Sequence, residues 1–301
     1  MAATLVTKSL RKEYPSKVAL RDMDITLGGD GIVGLIGRNG AGKTTLLKIL
    51  AGYIRPTSGD VRIFSAPVFD NLNVLSRLVF IDEEMQFDRN FRLRDILRVC
   101  QIHYANWDAG FAQRLLAFFK LDTRKAYRQL SRGMKTQFNI IVGLAARAPV
   151  TLLDEPTLGL DAAVRKEFYD IMLSDYLENP RTIIISSHLL GEMENLLGEI
   201  ILLDEGRLVM HQPMDVFQDY GVYLEGSKAA VLPHVEKHTV WRREELGQNV
   251  MVAVRNDFDA SERALLASNP NVRVSRIPVQ DLCIYLTGQG KDVSFNAFSG
   301  N

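Results

Sequence analysis

This chain has little cysteine, no excess of charge of either sign and no long apolar run. Its 301 residues include two cysteines, Cys100 and Cys283. They lie far apart and without metal-ligand spacing, which argues for ordinary reduced thiols rather than a disulfide scaffold or a cysteine metal site. The 36 basic residues are matched by 36 acidic ones. A general electrostatic grip on nucleic acid is therefore not indicated, and no nucleic-acid partner is expected. No uninterrupted apolar stretch approaches the roughly 20 residues that span a bilayer. The start, Met1-Ala2-Ala3-Thr4-Leu5-Val6, lacks the charged-then-apolar layout of a signal peptide. A cytoplasmic chain is expected, with any membrane role arriving through a partner. Internal repeats, low-complexity tracts and coiled-coil heptads are missing too. The chain does have a hydrophobic content of 47%, enough for one large α/β domain with an appendage, or for two modest domains.

Against this plain background one stretch stands out, Gly37-Arg38-Asn39-Gly40-Ala41-Gly42-Lys43-Thr44-Thr45. It fits G-x-x-x-x-G-K-[ST] in full. The apolar run Gly31–Ile36 before it reads as a buried strand. Leu46-Leu47-Lys48-Ile49-Leu50-Ala51 after it carries helix formers, with Gly52 placed to stop them. Strand, glycine-rich loop and helix together make a phosphate site, because the loop bends around an anion and the helix start adds roughly half a positive charge. Lys43 suits the β- and γ-phosphates, and the Thr44 hydroxyl suits Mg²⁺. Gly37, Asn39, Gly40, Gly42 and Thr45 complete the candidate lining. A mere glycine-rich turn does not need Lys and Thr at those positions.

Along the chain, residues 4–8 and 18–27 read as two strands joined by a connection, 10–17, that holds Tyr14 and Pro15. Tyr14 is either a surface aromatic or a stacking platform for a base. Val61–Phe64 and Leu78–Ile81 read as strands, the latter ending in Asp82-Glu83-Glu84. From about 86 to 147 the spacing turns helical, an all-helical insert whose third helix begins near Ser131. The strand-and-helix grammar resumes with Val150–Asp154, a helix from Ala162, a strand at Arg181–Ser186, a helix over Leu189–Leu197 and a hairpin through Asp204-Glu205-Gly206. Residues 1–220 thus read as one α/β unit, and 221–301 as a small α+β domain of about 80 residues. Apolar residues there, Val222, Leu224, Val252 and Val254, are candidates for pairing across protomers. The tail after Gly288 reads as frayed.

Val150-Thr151-Leu152-Leu153-Asp154-Glu155 is an apolar strand ending in two carboxylates. Downstream of a phosphate loop, the first suits Mg²⁺ and the second a general base on water. Leu130-Ser131-Arg132-Gly133-Met134 alone would be a helix N-cap. Placed about twenty residues before an apolar-Asp-Glu-Pro strand, it resembles the signature sequence of the ABC (ATP-binding cassette) ATPases. Pro156-Thr157-Leu158-Gly159-Leu160-Asp161 is similar to their D-loop segment, and Ser187-His188 to their switch histidine. Tyr14 stands at the spacing of the aromatic that stacks on adenine. The resemblance implies an α/β P-loop NTPase cassette: a parallel sheet core with an antiparallel β subdomain and a helical subdomain, followed here by the C-terminal α+β domain.

The resemblance also implies roles. ATP with Mg²⁺ would lie between the Gly37–Thr45 loop of one protomer and Ser131–Met134, Gly133 included, of a second cassette in a homodimer or heterodimer. Glu155 would polarise water, His188 would contact the γ-phosphate and Asp161 would couple the two sites. Integral-membrane permease subunits would be the partners, holding the chain at the cytoplasmic face of the plasma membrane. The variant signature and the short closing helix over Val279–Gly288 look similar to bacterial cassettes of the multidrug and peptide-antibiotic export type. A soluble ABC ATPase without a transport role, or an ATPase regulated by a ligand at its C-terminal domain, are the alternatives. Two departures mark this chain. Arg132 and Met134 replace the first glycine and the glutamine of Leu-Ser-Gly-Gly-Gln, and Glu83 takes the place of a glutamine expected at the metal, with Gln86 a second candidate. Arg132 is either drift or a fixed charge aimed at the trans γ-phosphate or at an acidic group of the facing protomer.

Overall fold

The computed structural model describes residues 3–188 and 190–288, so the expected frayed tail lies outside the described residues. They divide into two compact units, one ending at His211 and one beginning at Gln212. In the first unit an antiparallel sheet runs in the order β2-β1-β4-β5, from β1 (Ala3–Tyr14), β2 (Lys17–Gly28), β4 (Ser58–Ile63) and β5 (Ala66–Pro67). The stretch expected as a connection over 10–17 is mostly strand. β1 and β2 pair all the way to Tyr14 and Lys17, with register shifts between Thr7 and Leu10 and on either side of Lys12. These irregularities, with Ser9 at φ 43, break the period-two alternation by which a strand is read from sequence.

The second sheet of this unit holds β3 (Gly31–Ile36), β6 (Leu78–Ile81), β7 (Val150–Asp154), β8 (Thr182–Ser187), β9 (Glu199–Asp204) and β10 (Arg207–Pro213), in the order β10-β9-β3-β8-β7-β6. From β9 to β6 the pairs are parallel. β3 is therefore central, and its C-terminal end opens on a crevice edge where open α/β sheets place their ligands. α1 (Lys43–Leu50) packs between the two sheets. Its Leu46, Leu47, Ile49 and Leu50 share one core with Leu20, Met23 and Ile25 of β2 and with Val33 and Leu35 of β3. At about 2 kcal/mol per buried aliphatic side chain, this packing fixes the helix start, and with it Lys43 and Thr44.

A short α2 (Leu72–Leu75) precedes β6, and α3 (Leu93–His103), α4 (Ala109–Phe118) and α5 (Arg132–Ala145) form the helical region. α6 (Ala162–Glu178) follows β7. The helix expected over Leu189–Leu197 is instead two single 3₁₀ turns, Leu190–Glu192 and Glu194–Leu196, with Leu189 outside the described residues. Arg165 of α6 binds the Glu192 carboxylate at 2.7 and 2.8 Å, an outside contact that no helical period reports.

The second unit has α7 (Met214–Gln218), β11 (Gly221–Ser227), α8 (Lys228–Val235), β12 (Val240–Leu246), β13 (Asn249–Arg255), α9 (Ala260–Ser268), β14 (Val272–Arg276) and α10 (Val279–Leu286). Its sheet is antiparallel, in the order β12-β13-β11-β14. The apolar face expected to pair across protomers is covered within the unit. Val222, Leu224, Val252 and Val254 share a core with Val231 and Val235 of α8 and Leu266 of α9. The two cysteines are free and buried, and burial pushes Cys100 up to about 11 and Cys283 to about 12, well away from reactive thiolates. No helix among the described residues is long and apolar enough to cross a membrane.

Candidate active site

The loop after β3 is shaped by sterics. Gly42 has φ 107, and a Cβ there would lie 2.7 Å from the Ala19 carbonyl oxygen; one on Gly37 would lie 2.5 Å from that of Leu203. Only glycine lets the loop pass between β2 and the β9 end. The loop is then tied from outside: Gly206 N–H donates to Ala41 O at 3.1 Å, and Lys17 Nζ donates to Gly40 O at 3.0 Å. Lys43, 6% exposed, folds its ammonium back into the loop. Its Nζ donates to Gly37 O at 2.6 Å and lies 3.7 Å from Glu155 Oε1. Asn39, Gly40, Gly42, Lys43, Thr44 and Thr45 line a cleft of about 300 Å³ together with Glu155 and with Lys17 and Arg38. The cleft has the size of a small-ligand site, and three cations face it, which suits a polyphosphate.

The two carboxylates after β7 are held differently. Asp154 is buried, and the Ser186 hydroxyl donates to its Oδ1 at 2.6 Å while accepting the Glu155 N–H at 2.9 Å. The parallel register of β7 and β8 places Asp154 opposite Ser186. Glu155 adopts φ 48, a left-handed conformation rare for a residue with a side chain and typical of functional sites. Its Oε2 lies 2.8 Å from His188 Nδ1, within hydrogen-bond distance. Glu155 thus sits between an ammonium and an imidazole at the rim of the phosphate-loop cleft.

The remaining predicted residues lie around this centre rather than in the cleft lining. Tyr14 ends β1 opposite Lys17, with Lys12 Nζ 5.1 Å from its ring centroid. Ser131 caps α5, its Oγ accepting Met134 N–H at 3.3 Å, and Asp161 caps α6, accepting Val164 N–H at 3.0 Å. Gly133 is not demanded by its own chain: a Cβ would meet nothing closer than Gly159 O at 3.9 Å. A second cleft, of about 240 Å³, is lined by Asp154, Glu155, Glu83, Gln86 and Arg132. Glu83 is ion-paired with Arg132 of the same chain. Burial raises the Asp82 carboxyl against the pull of Lys48, and the hydrogen bond from Lys48 lowers Glu84. Sequence reading missed Lys17, Arg38 and Ser186. Arg38 lies between the predicted Gly37 and Asn39 and could have been found; Ser186 gave no signal, because its role depends on strand register.

The sequence and the fold agree with known proteins. The family profile described as ABC transporter matches residues 20–158. The bacitracin transport ATP-binding protein of Bacillus licheniformis is 34% identical over 71% of this chain and 71% of its own. This chain belongs to the ABC transporter ATP-binding protein family. It is an ATP-binding cassette, and it hydrolyses ATP. A Nod factor export ATP-binding protein of Cupriavidus metallidurans is 28% identical over 96% of this chain and 99% of its own, so the likeness extends through the second unit. Among solved structures, an ATP-binding subunit of an ABC transporter superposes with a TM-score of 0.63 at 26% identity, covering 71% of this chain and 92% of that one. A dimeric cassette bound to ADP and Pi shares the fold, with a TM-score of 0.60 at 21% identity over 70% of this chain and 98% of that one.

Proposed function

We propose that this chain is the ATP-hydrolysing subunit of an export-type ABC transporter, acting through separate integral-membrane permease subunits at the cytoplasmic face of the plasma membrane. The single observation that carries the chemistry is Glu155, held 3.7 Å from Lys43 and 2.8 Å from His188 at the mouth of the phosphate-loop cleft. Support for the direction comes from relatives named for bacitracin transport, lantibiotic transport and Nod factor export.

In this reading the loop N–H groups and Lys43 take the β- and γ-phosphates, and Tyr14 meets the base. Glu155 accepts the proton of the attacking water, a role worth on the order of 10²–10⁴ in rate. His188 keeps the carboxylate in place and lies near the γ-phosphate. The residues fit Mg²⁺. Thr44 and Asp154 are hard oxygen donors, Asp154 is buried with one oxygen already oriented by Ser186, and such second contacts steady a metal ligand. When bound, Mg²⁺ supplies charge neutralisation on the phosphates. Glu83, the other candidate metal ligand, is ion-paired with Arg132. Ser131, Gly133 and Asp161 serve the nucleotide of a second cassette. The unit from Gln212 onward is an accessory domain.

The test is isolation of tagged chain from its own membranes with mild detergent. A polytopic membrane protein should co-purify and raise the ATPase rate. Recovery of the chain only as free protein, with no membrane protein bound, would count against the transport reading while leaving the ATPase intact.

A further inference from the structure

Two of the positions at which this chain departs from the family pattern, Glu83 and Arg132, meet each other. Arg132 opens α5, Glu83 lies in the turn after β6, and their side chains form an ion pair across 49 residues of sequence. The same turn is fastened at the other side. Lys48 Nζ binds Glu84 at 2.6 Å and lies 3.9 Å from Asp82. Lys48 belongs to α1, the helix that begins with Lys43 and Thr44. Three consecutive acids therefore join the helix that opens on the phosphate cleft to the helix that opens on the signature segment.

A second attachment runs parallel to the ion pair. The Met85 carbonyl accepts from Asn139 Nδ2 at 3.3 Å and from Tyr127 Oη at 3.3 Å. Arg132, Lys135, Thr136 and Asn139 are spaced i, i+3, i+4 and i+7, one stripe of α5, and all four line the second cleft. Asn139 is buried, whereas the Arg132 side chain is 75% exposed and that of Glu83 52%. The stripe is thus pinned at its inner end by neutral hydrogen bonds and at its outer end by a charge pair. A glutamine facing a glycine at these two positions has no such bond to make.

We propose that Arg132 is a positioning residue: by holding Glu83 it docks the first turn of α5 onto the Asp82–Glu84 turn of its own chain, so that the signature segment is set by the same turn that touches α1. The guanidinium, which one of the two sequence readings aims at a second chain, is engaged within its own. The inference rests on the reading of Ser131–Gly133 as the segment that meets a second cassette's nucleotide.

The experiment is a double-mutant cycle in the full-length chain: E83Q, R132Q, E83Q/R132Q and the charge-reversed E83R/R132E. Hydrogen exchange of the Met134, Lys135 and Thr136 amides is followed without nucleotide at low salt, with kcat, KM and ATP affinity measured alongside. An exposed ion pair of this kind supports about a two- to five-fold slowing of local exchange. Each single variant should therefore speed exchange by about that factor, and the double variant by no more than either single. The reversed pair should return towards wild type, and all differences should vanish near 1 M salt, where the Debye length is about 3 Å. Because the tie acts through geometry, kcat should move more than KM. Additive effects, exchange unchanged in both singles, or differences that persist in high salt would overturn the proposal. Failure of the wild-type chain to bind ATP would instead overturn the reading beneath it, and the exchange result would stand.

Discussion

Glu155 borders two clefts of similar size, about 300 and about 240 Å³, and they are built from different material. On the phosphate-loop side the wall is backbone and a buried ammonium, with the exposed Lys17 and Arg38 beside them. The carbonyl of Ala19 leaves no room for a side chain on Gly42, and Lys43 is 6% exposed. On the other side the wall carries an exposed charge pair, Glu83 against Arg132. Steric walls are all-or-none, whereas exposed ion pairs are worth about 1 kcal/mol or less and weaken with salt. Two of the departures from the family pattern, Glu83 and Arg132, fall on the exposed side, where a change of residue adjusts the site without dismantling it.

The sharpest way to break this contrast is Lys43→Ala. Removing a buried charged partner typically costs 2–5 kcal/mol, so ATP affinity should fall by about 100-fold or more in a calorimetric titration. An affinity within a few-fold of wild type would mean that the loop is not the phosphate site. A smaller effect is expected of Ser186→Ala, which leaves both clefts intact but frees Asp154 Oδ1 and the Glu155 N–H from their shared partner. Second contacts of this kind are worth about 10- to 100-fold, so turnover at saturating Mg²⁺ should drop by about 10-fold or more, with thermal stability lowered by about 1–3 kcal/mol. Turnover equal to wild type would remove Ser186 from the site. Salt gives a finer comparison. ATP binding should weaken with ionic strength in every variant, but the difference between wild type and R132Q should shrink towards zero by 1 M salt. The smallest effect is expected from ending the chain after Pro213. The second unit has its own core and contributes nothing to the cleft lining, so nucleotide affinity should change by less than about two-fold. A larger loss would tie the second unit to the site.

The phosphate loop was legible because its chemistry is contiguous: Gly37 to Thr45 carries the turn, the charge and the hydroxyl in one run, and β3 and α1 formed where their apolar patterns placed them. Asp154 and Glu155 were legible for the same reason. What sequence could not give is whatever depends on register or on a distant partner. Ser186 matters because parallel pairing sets it opposite Asp154. The Leu10–Tyr14 end of the bulged β1 read as a connection because its alternation slips between Thr7 and Leu10 and on either side of Lys12. The 3₁₀ turns over Leu190–Leu196 read as a helix because a period of apolar residues does not report the pull of Arg165 on Glu192. The apolar alternation of β11 and β13 was right, but α8 and α9, not a second chain, cover that face. Arg132 was read as a departure, and its partner was in view at Glu83; their meeting was not.

The central claim is that Glu155 is the base of an ATPase whose phosphates rest on the Gly37–Thr45 loop, and Glu155→Gln tests it most directly. The amide keeps the shape and can still meet His188, but it cannot take a proton from water. Nucleotide affinity and single-turnover hydrolysis should be measured on the same preparation with Mg²⁺. The account predicts ATP affinity within about three-fold of wild type and hydrolysis slowed by about 100-fold or more. Hydrolysis within about three-fold of the wild-type rate would contradict it.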